Sequence, residues 1–418
     1  MLQRLSVCVR RGERPPVGIV HLGAGAFFRA HVAAFTEDAG EWGICAVAPR
    51  RRDAVEQLAP QDGLFTLLVR HPEEDRAQVV GCLREVLHAP SEPDRVLARI
   101  ADPRVHVVTL TITEAGYSSP VIDLLRRGLA AREAPLTVLS CDNLPRNGEV
   151  LARLVGEGDW DASFPCTVVD RITPAATEAD REAAARLIGL EDRAAVVTEP
   201  FRQWVIEDRF AGPRPAWERA GAQLVGDTAS FEQLKLRVLN GSHSMLAYLG
   251  LLAGARTVEE AVRDDAIAGA VRRLVDEDVA PTLPPEVDLP GYVEALDERF
   301  ANPRMRHRLE QIAVDGSQKL PARLLPVARE RLAAGAEPCW VALAVAAWVL
   351  HLRGDAVRDE GAAALRDALA RVTTPRDSAD TVLRALDPEL AASPVFRDLT
   401  TDWLLRLEGG AVRAALSS

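Results

Sequence analysis

Val17–His31 reads VGIVHLGAGAFFRAH. Its first six residues form a mostly apolar run of strand length, and Gly23-Ala24-Gly25 breaks that run before a helical pattern begins. A strand, a glycine turn and a helix in that order make the geometry that binds a pyrophosphate. The glycines let the backbone approach, and the helix N-terminus offers free N–H groups and the positive end of its dipole. Gly23, Ala24, Gly25, Ala26, Phe27 and Arg29 are the candidate cofactor-facing residues. The pattern is incomplete, because Phe28 stands where G-x-G-x-x-G has its third glycine. Taken alone, the two glycines fit an ordinary strand-to-helix turn equally well.

The segments that follow decide between these readings. Gly43–Ala48 (GICAVA) reads as a second strand, followed by Pro49-Arg50-Arg51-Arg52-Asp53. An acidic residue at this point hydrogen-bonds the ribose 2′-hydroxyl of NAD, whereas arginines accept the 2′-phosphate of NADP. Asp53 and Arg50 offer both chemistries, so the choice between NAD and NADP stays open here. Apolar runs at Leu64–Val69, Val105–Ile112 and Leu136–Cys141 alternate with helical patterns. Such alternation implies a mostly parallel, doubly wound, Rossmann-like sheet covered on both faces, with ligands at the carboxyl ends of its strands.

Polar residues gather at those ends, in Thr111–Tyr117 (TITEAGY) and Ser140–Gly148 (SCDNLPRNG). The Asn143 amide is a candidate donor to a substrate oxygen, and Asn147 a candidate cap for the following helix. After another apolar strand, Asp170 is either half of a structural ion pair with Arg171 or an acceptor for substrate hydroxyls.

From about Ser230 strand-like runs largely cease and amphipathic helical patterns continue to the C-terminus. The expected organisation is an α/β nucleotide-binding domain over residues 1–228 and a mostly helical substrate domain over 229–418. Lys235–Tyr248 (KLRVLNGSHSMLAY) carries Lys235, Asn240 and His243 at i, i+5 and i+8. On a regular α-helix that spacing keeps the three within an arc of roughly 140°. Gly241 interrupts the helix at a cost of about 1 kcal/mol relative to alanine, so something other than helix propensity favours it there. Further on, Asp315, Ser317, Gln318 and Lys319 interrupt an apolar pattern in one place. The cluster Arg304-Met305-Arg306-His307-Arg308 reads as a solvated helix face.

Composition excludes several classes. A net charge of −11 argues against a general nucleic-acid binder. Cys8, Cys45, Cys82, Cys141, Cys166 and Cys339 are scattered without a CxxC pair, as expected of reduced thiols in a cytosolic protein rather than a zinc site. The longest apolar run, Cys339–Leu350, is too short to span a bilayer, and the first residues lack the apolar core of a signal peptide. A cytoplasmic protein with no membrane partner is expected. Its oligomeric state is not legible.

HLGAGAFFRAH, TITEAGY, SCDNLPRNG, FPCTVVDRITP, EPFRQWVIED, KLRVLNGSH and DGSQKLP, seven blocks in this order through most of the chain, resemble the mannitol dehydrogenase family. These are the polyol-specific long-chain dehydrogenases, which include mannitol 2-dehydrogenases and fructuronate reductases (D-mannonate oxidoreductases). The resemblance implies metal-independent oxidation of a secondary alcohol with NAD, or NADP, on the first domain. It implies Lys235 as general base, Asn143 and Asn240 flanking the reacting oxygen, and His243 orienting the substrate. Asp170 and Lys319 fall on the family's substrate-contacting positions. Gln311 stands where mannitol 2-dehydrogenases carry an arginine, and the wording around it is closer to fructuronate reductases, which points to a sugar acid. Mannitol, or another polyol such as arabinitol, is the alternative substrate. A nucleotide-binding redox sensor without catalysis is the alternative from another class.

Overall fold

The computed structural model describes residues 3–6, 14–112, 120–354 and 357–416. The chain divides into two compact units, Met1–Ala229 and Ser230–Ser418.

The first unit is built on a six-stranded, all-parallel sheet. Its strands along the chain are Val17–Leu22, Gly43–Ala48, Leu83–His88, Val107–Leu110, Leu136–Ser140 and Ala162–Ser163. Numbered in that order they lie 3-2-1-4-5-6, the arrangement of a doubly wound dinucleotide-binding sheet. Successive side chains serve opposite faces. Ile19, Ile44, Ala46 and Val107 pack with Phe28, Phe35 and Trp204. Val20, Val47, Val108 and Val138 pack with Ile100, Leu125 and Leu151. Burial on both faces is why these strands are continuously apolar instead of alternating.

One expected strand lies elsewhere. Phe65–Arg70, from the apolar run at Leu64, pairs antiparallel with Asp75–Val80 and parallel with Val196–Thr198 in a separate three-stranded sheet. The place it was expected to fill in the main sheet belongs to Leu83–His88, whose sequence LREVLH is less apolar. A third small sheet pairs Thr167–Asp170 antiparallel with Gln203–Glu207, which pairs in turn with Gln223–Val225.

Among the described residues, the backbone elements of the second unit are helices and turns, apart from the isolated Thr257–Arg308 bridge. Cys339–Leu352 is buried on every side and forms the middle of the unit's core, which explains an apolar run without a polar face. The Asp278 carboxylate accepts hydrogen bonds from the Trp340 and Val341 N–H groups, each 2.8 Å, and so ties down the start of this buried helix. No helix among the described residues is long and apolar enough to cross a membrane.

Candidate active site

The glycine turn has a closed side and an open side. Gly23 has φ +123° and its N–H donates to the Val47 carbonyl at 2.9 Å, and a Cβ there would lie 2.4 Å from the Thr111 carbonyl oxygen. Only glycine serves at that position. Gly25 is exposed, and a Cβ on it would meet nothing within 4 Å. It immediately precedes helix Ala26–Ala30, where no side chain caps the first turn. The helix's first N–H groups therefore border open space beside Gly25, and these residues fit a dinucleotide pyrophosphate.

Phe28 explains the missing third glycine. Its ring stacks on the His21 imidazole with centroids 3.7 Å apart and planes 10° from parallel. Helix and strand thus approach through two flat rings where the usual pattern employs a bare backbone. His21 Nε2 lies 2.9 Å from the Gly23 carbonyl and Nδ1 2.7 Å from the Thr109 hydroxyl. A neutral ring that donates from Nε2 and accepts at Nδ1 satisfies both. Burial pushes this imidazole down to about 3.

Arg29, read from sequence as cofactor-facing, is turned inward. Its guanidinium donates to the Ala194 and Gly25 carbonyls and is 7% exposed, so it braces the turn from behind. Ala24 is buried, while Ala26 and Phe27 are partly exposed. Arg50 and Asp53 are both exposed, Asp53 as the first residue of helix Asp53–Leu58. Arg51 pairs with the Asp53 carboxylate at 2.6 Å.

Of the segments at the strand ends, Thr113–Tyr117 lies outside the described residues. Asn143 is exposed in the turn after Leu136–Ser140. Asn147 does not cap its helix. Its side chain is fully buried, donates to the Asp142 and Thr167 carbonyls and accepts from the Thr167 N–H at 2.9 Å. It thereby fastens the Thr167–Asp170 strand beside the main sheet. Asp170 ends that strand, 5% exposed. The Arg171 guanidinium goes to the Glu199 and Ala30 carbonyls.

In the second unit, Lys235–Asn240 is a π-helix running into α-helix Gly241–Leu252. The Gly241 N–H donates to the Leu236 carbonyl, five residues back. A turn closed by i→i+5 bonds brings residues five apart onto the same side, whereas a regular α-helix would separate Lys235 and Asn240 by about 140°. The expected α geometry is therefore replaced by one that keeps Lys235 and Asn240 on the same side of the helix. Gly241 is there because a Cβ would lie 2.9 Å from a Leu324 methyl.

Lys235 is 8% and His243 7% exposed. Arg323, partly buried, donates to the Asn240 carbonyl at 3.2 Å and the Ser244 hydroxyl at 3.1 Å, fixing the start of the α-helix. The His243 ring lies 4.7 Å from Phe300 and 5.3 Å from His307, edge-on to the latter. Burial first, then His307, Arg299, Arg323 and Lys235, hold His243 well below the usual imidazole range. His307 is lowered to about 4 by burial and by Arg299.

Lys319 donates to the Ile312 carbonyl at 3.2 Å, and burial with Arg323 lowers its amine to about 8. Gln311 is exposed on the short helix Leu309–Ile312. His307 is the residue that sequence reading missed. Asn302–Arg308 is a turn, not a helix face, and it presents the imidazole to His243. The signal was the single histidine among arginines, but nothing local says which residue of a turn points inward. Among the described residues no three or more His, Cys, Asp or Glu side chains gather in a manner that could hold a metal.

Residues 17–219 match the model of the mannitol dehydrogenase Rossmann domain, and residues 227–404 that of the mannitol dehydrogenase C-terminal domain. The D-mannonate oxidoreductase of Escherichia coli is 40% identical over 80% of this chain and 80% of its own length. A mannitol 2-dehydrogenase of Pyrenophora tritici-repentis is 36% identical, over 84% of this chain and 72% of its own. The Pseudomonas fluorescens mannitol 2-dehydrogenase, solved as a ternary complex with NAD and D-mannitol, superposes with a TM-score of 0.84 at 33% identity, covering 96% of this chain and 94% of that one. The chain belongs to the mannitol dehydrogenase family and is an oxidoreductase of the kind that acts on CH–OH groups.

Proposed function

We propose that this protein is an NAD-dependent dehydrogenase that interconverts a sugar acid, D-mannonate, and its ketone, with Lys235 as the proton acceptor. The observation that carries the reading is the π-turn, whose i→i+5 geometry keeps Lys235 and Asn240 on one side of the helix, with His243 following on the next.

The backbone of Gly23–Phe27 would hold the pyrophosphate of NAD, and Asp53 the ribose hydroxyls. When bound, NAD supplies the acceptor for the hydride that leaves the substrate carbon. The chain must take the hydroxyl proton. Burial is the condition that favours an uncharged, proton-accepting amine, and Lys235 is 8% exposed. The Asn240 amide, and that of Asn143, would donate to the oxygen as negative charge develops there. A preorganised donor of this kind is worth on the order of 100-fold or more in rate. His243, neutral and with Nε2 free of any hydrogen bond among the described residues, would orient a substrate hydroxyl. Asp170, Lys319 and Gln311 are proposed as further substrate contacts.

The sugar acid is favoured over the neutral polyol by the guanidinium groups near the site, where Arg299 and Arg323 both act on His243. D-mannonate and D-mannitol differ only in a terminal carboxylate against a terminal CH2OH, so they form a matched pair. Steady-state oxidation with NAD is expected to favour D-mannonate by about 100-fold or more in kcat/KM, equivalent to about 2.7 kcal/mol. A preference for D-mannitol would make the protein a mannitol 2-dehydrogenase instead. Cofactor binding without turnover of either would favour a sensor.

A further inference from the structure

Helices of the second unit enclose a cavity of about 420 Å³, a size typical of small-molecule pockets. Its walls are apolar. Val271 and Val275 come from helix Asp265–Arg273 and its π-helical continuation Leu274–Val279, and Val293, Leu296 and Phe300 from helix Leu289–Phe300. Ser242, on helix Gly241–Leu252, also lines the cavity and is fully buried, so it marks the inner end. Gly269, Arg272 and Asp297 are exposed and mark the mouth. The Ser242 hydroxyl has no hydrogen-bond partner among the described residues, and a buried polar group without one calls for an explanation. A lone water is a poor one. Buried waters make about three hydrogen bonds, and among the described lining residues Ser242 is the single buried polar side chain. Gly269 lies inside helix Asp265–Arg273, where glycine costs about 1 kcal/mol relative to alanine. A Cβ on it would meet nothing within 4 Å, so no packing contact requires glycine there, and its missing side chain keeps the mouth open. Lys235, Asn240 and His243 are not among the described residues that line the cavity, while Phe300 both lines it and packs on the His243 ring. The cavity is thus a separate space that shares one wall with the candidate active site.

We propose that this cavity is a second binding site, for a small uncharged apolar molecule that carries one hydroxyl or carbonyl group. Burying an apolar body against these walls takes it out of water, and the hydroxyl at the inner end fixes its orientation. A serine hydroxyl both donates and accepts, so either polar group satisfies it. A polyol or sugar acid fits poorly, because each of its hydroxyls would leave water with one serine to meet them all. An anion gains little at the mouth, where Arg272 is already paired with Asp297. The ligand class therefore differs from that of the substrate.

The test is equilibrium dialysis of the full-length protein against 1-naphthol and, separately, 1-methylnaphthalene, in which a methyl group of similar size replaces the hydroxyl. Saturating NAD keeps the probes out of the cofactor site. The wild type is expected to bind both saturably. Gly269→Trp puts an indole at the mouth, where the Cβ has open space, and should weaken both probes by about tenfold or more. Ser242→Ala should weaken 1-naphthol by about fivefold, the scale of one hydrogen bond, and leave 1-methylnaphthalene within about twofold of the wild type. That variant deletes a hydroxyl that bonds nothing among the described residues, so no hydrogen bond of the fold goes with it. Absence of saturable binding, or binding unchanged by Gly269→Trp, would overturn the proposal. An equal effect of Ser242→Ala on the two probes would overturn it as well. Should Gly269→Trp fail to fold, the Ser242→Ala comparison alone decides.

Discussion

His21 and Phe28 show how a single substitution in a familiar pattern is absorbed. The third glycine of a dinucleotide turn exists to let helix and strand approach. Here a flat imidazole in the strand receives a flat phenyl from the helix, and the approach is kept. The cost is a fully buried histidine that cannot readily take a proton. His21, at about 3, His243, well below the ordinary range, and His307, at about 4, all have folded pKa values below the unfolded value of 6.5. Between those values the unfolded chain binds more protons than the folded one, so stability rises with pH across this window and is lost on acidification from about pH 6.5 towards 4. The urea midpoint should fall over that window, with a slope of up to about 1.4 kcal/mol per pH unit for each histidine. A midpoint flat from about pH 7 to 4.5 would contradict these assignments. Phe28 was legible as a departure from pattern, but its partner was not, because stacking on His21 depends on the approach of a helix that sequence does not position. His307 was illegible for the same reason: its orientation comes from contacts with Val258 and Thr257, some fifty residues earlier.

At the scale of elements, the glycine turn separates folding from binding. Gly23 is required by φ +123° and by the Thr111 carbonyl, whereas Gly25 has open space at its Cβ and an ordinary φ of −74°. Gly25→Val should therefore fold with a melting temperature near that of the wild type, while its side chain occupies the space beside the turn and weakens NAD binding by about tenfold or more. Calorimetric titration with NAD checks this, and unchanged affinity would move the cofactor away from the turn. The strand–turn–helix at Val17–His31 was readable because glycine and apolar runs mark it locally. The π-turn at Lys235–Asn240 was not, since an i→i+5 bond has no residue signature, and only Gly241 hinted at a constraint, now seen as the approach of Leu324. Phe65–Arg70 was readable as a strand but not as a member of a second sheet, because an apolar run does not name its neighbour.

At the scale of the whole molecule, two units carry two different kinds of chemistry. The parallel sheet presents a glycine turn suited to a dinucleotide, and the helical unit presents a lysine, an amide and two histidines, of which Lys235 and His243 are buried. The class of fold follows from strand–helix alternation and from the change of pattern in the second half. The identity of the substrate does not, because it depends on side chains whose placement the sequence does not state. The central claim is that the amine of Lys235 accepts the substrate proton. Its most direct measurement is the turnover of D-mannonate by Lys235→Ala, made together with a fluorescence titration of NADH. The account predicts NADH affinity close to that of the wild type and kcat lower by at least about 100-fold, the scale of a lost general base. Turnover within about threefold of the wild type, with the cofactor bound as before, would contradict it.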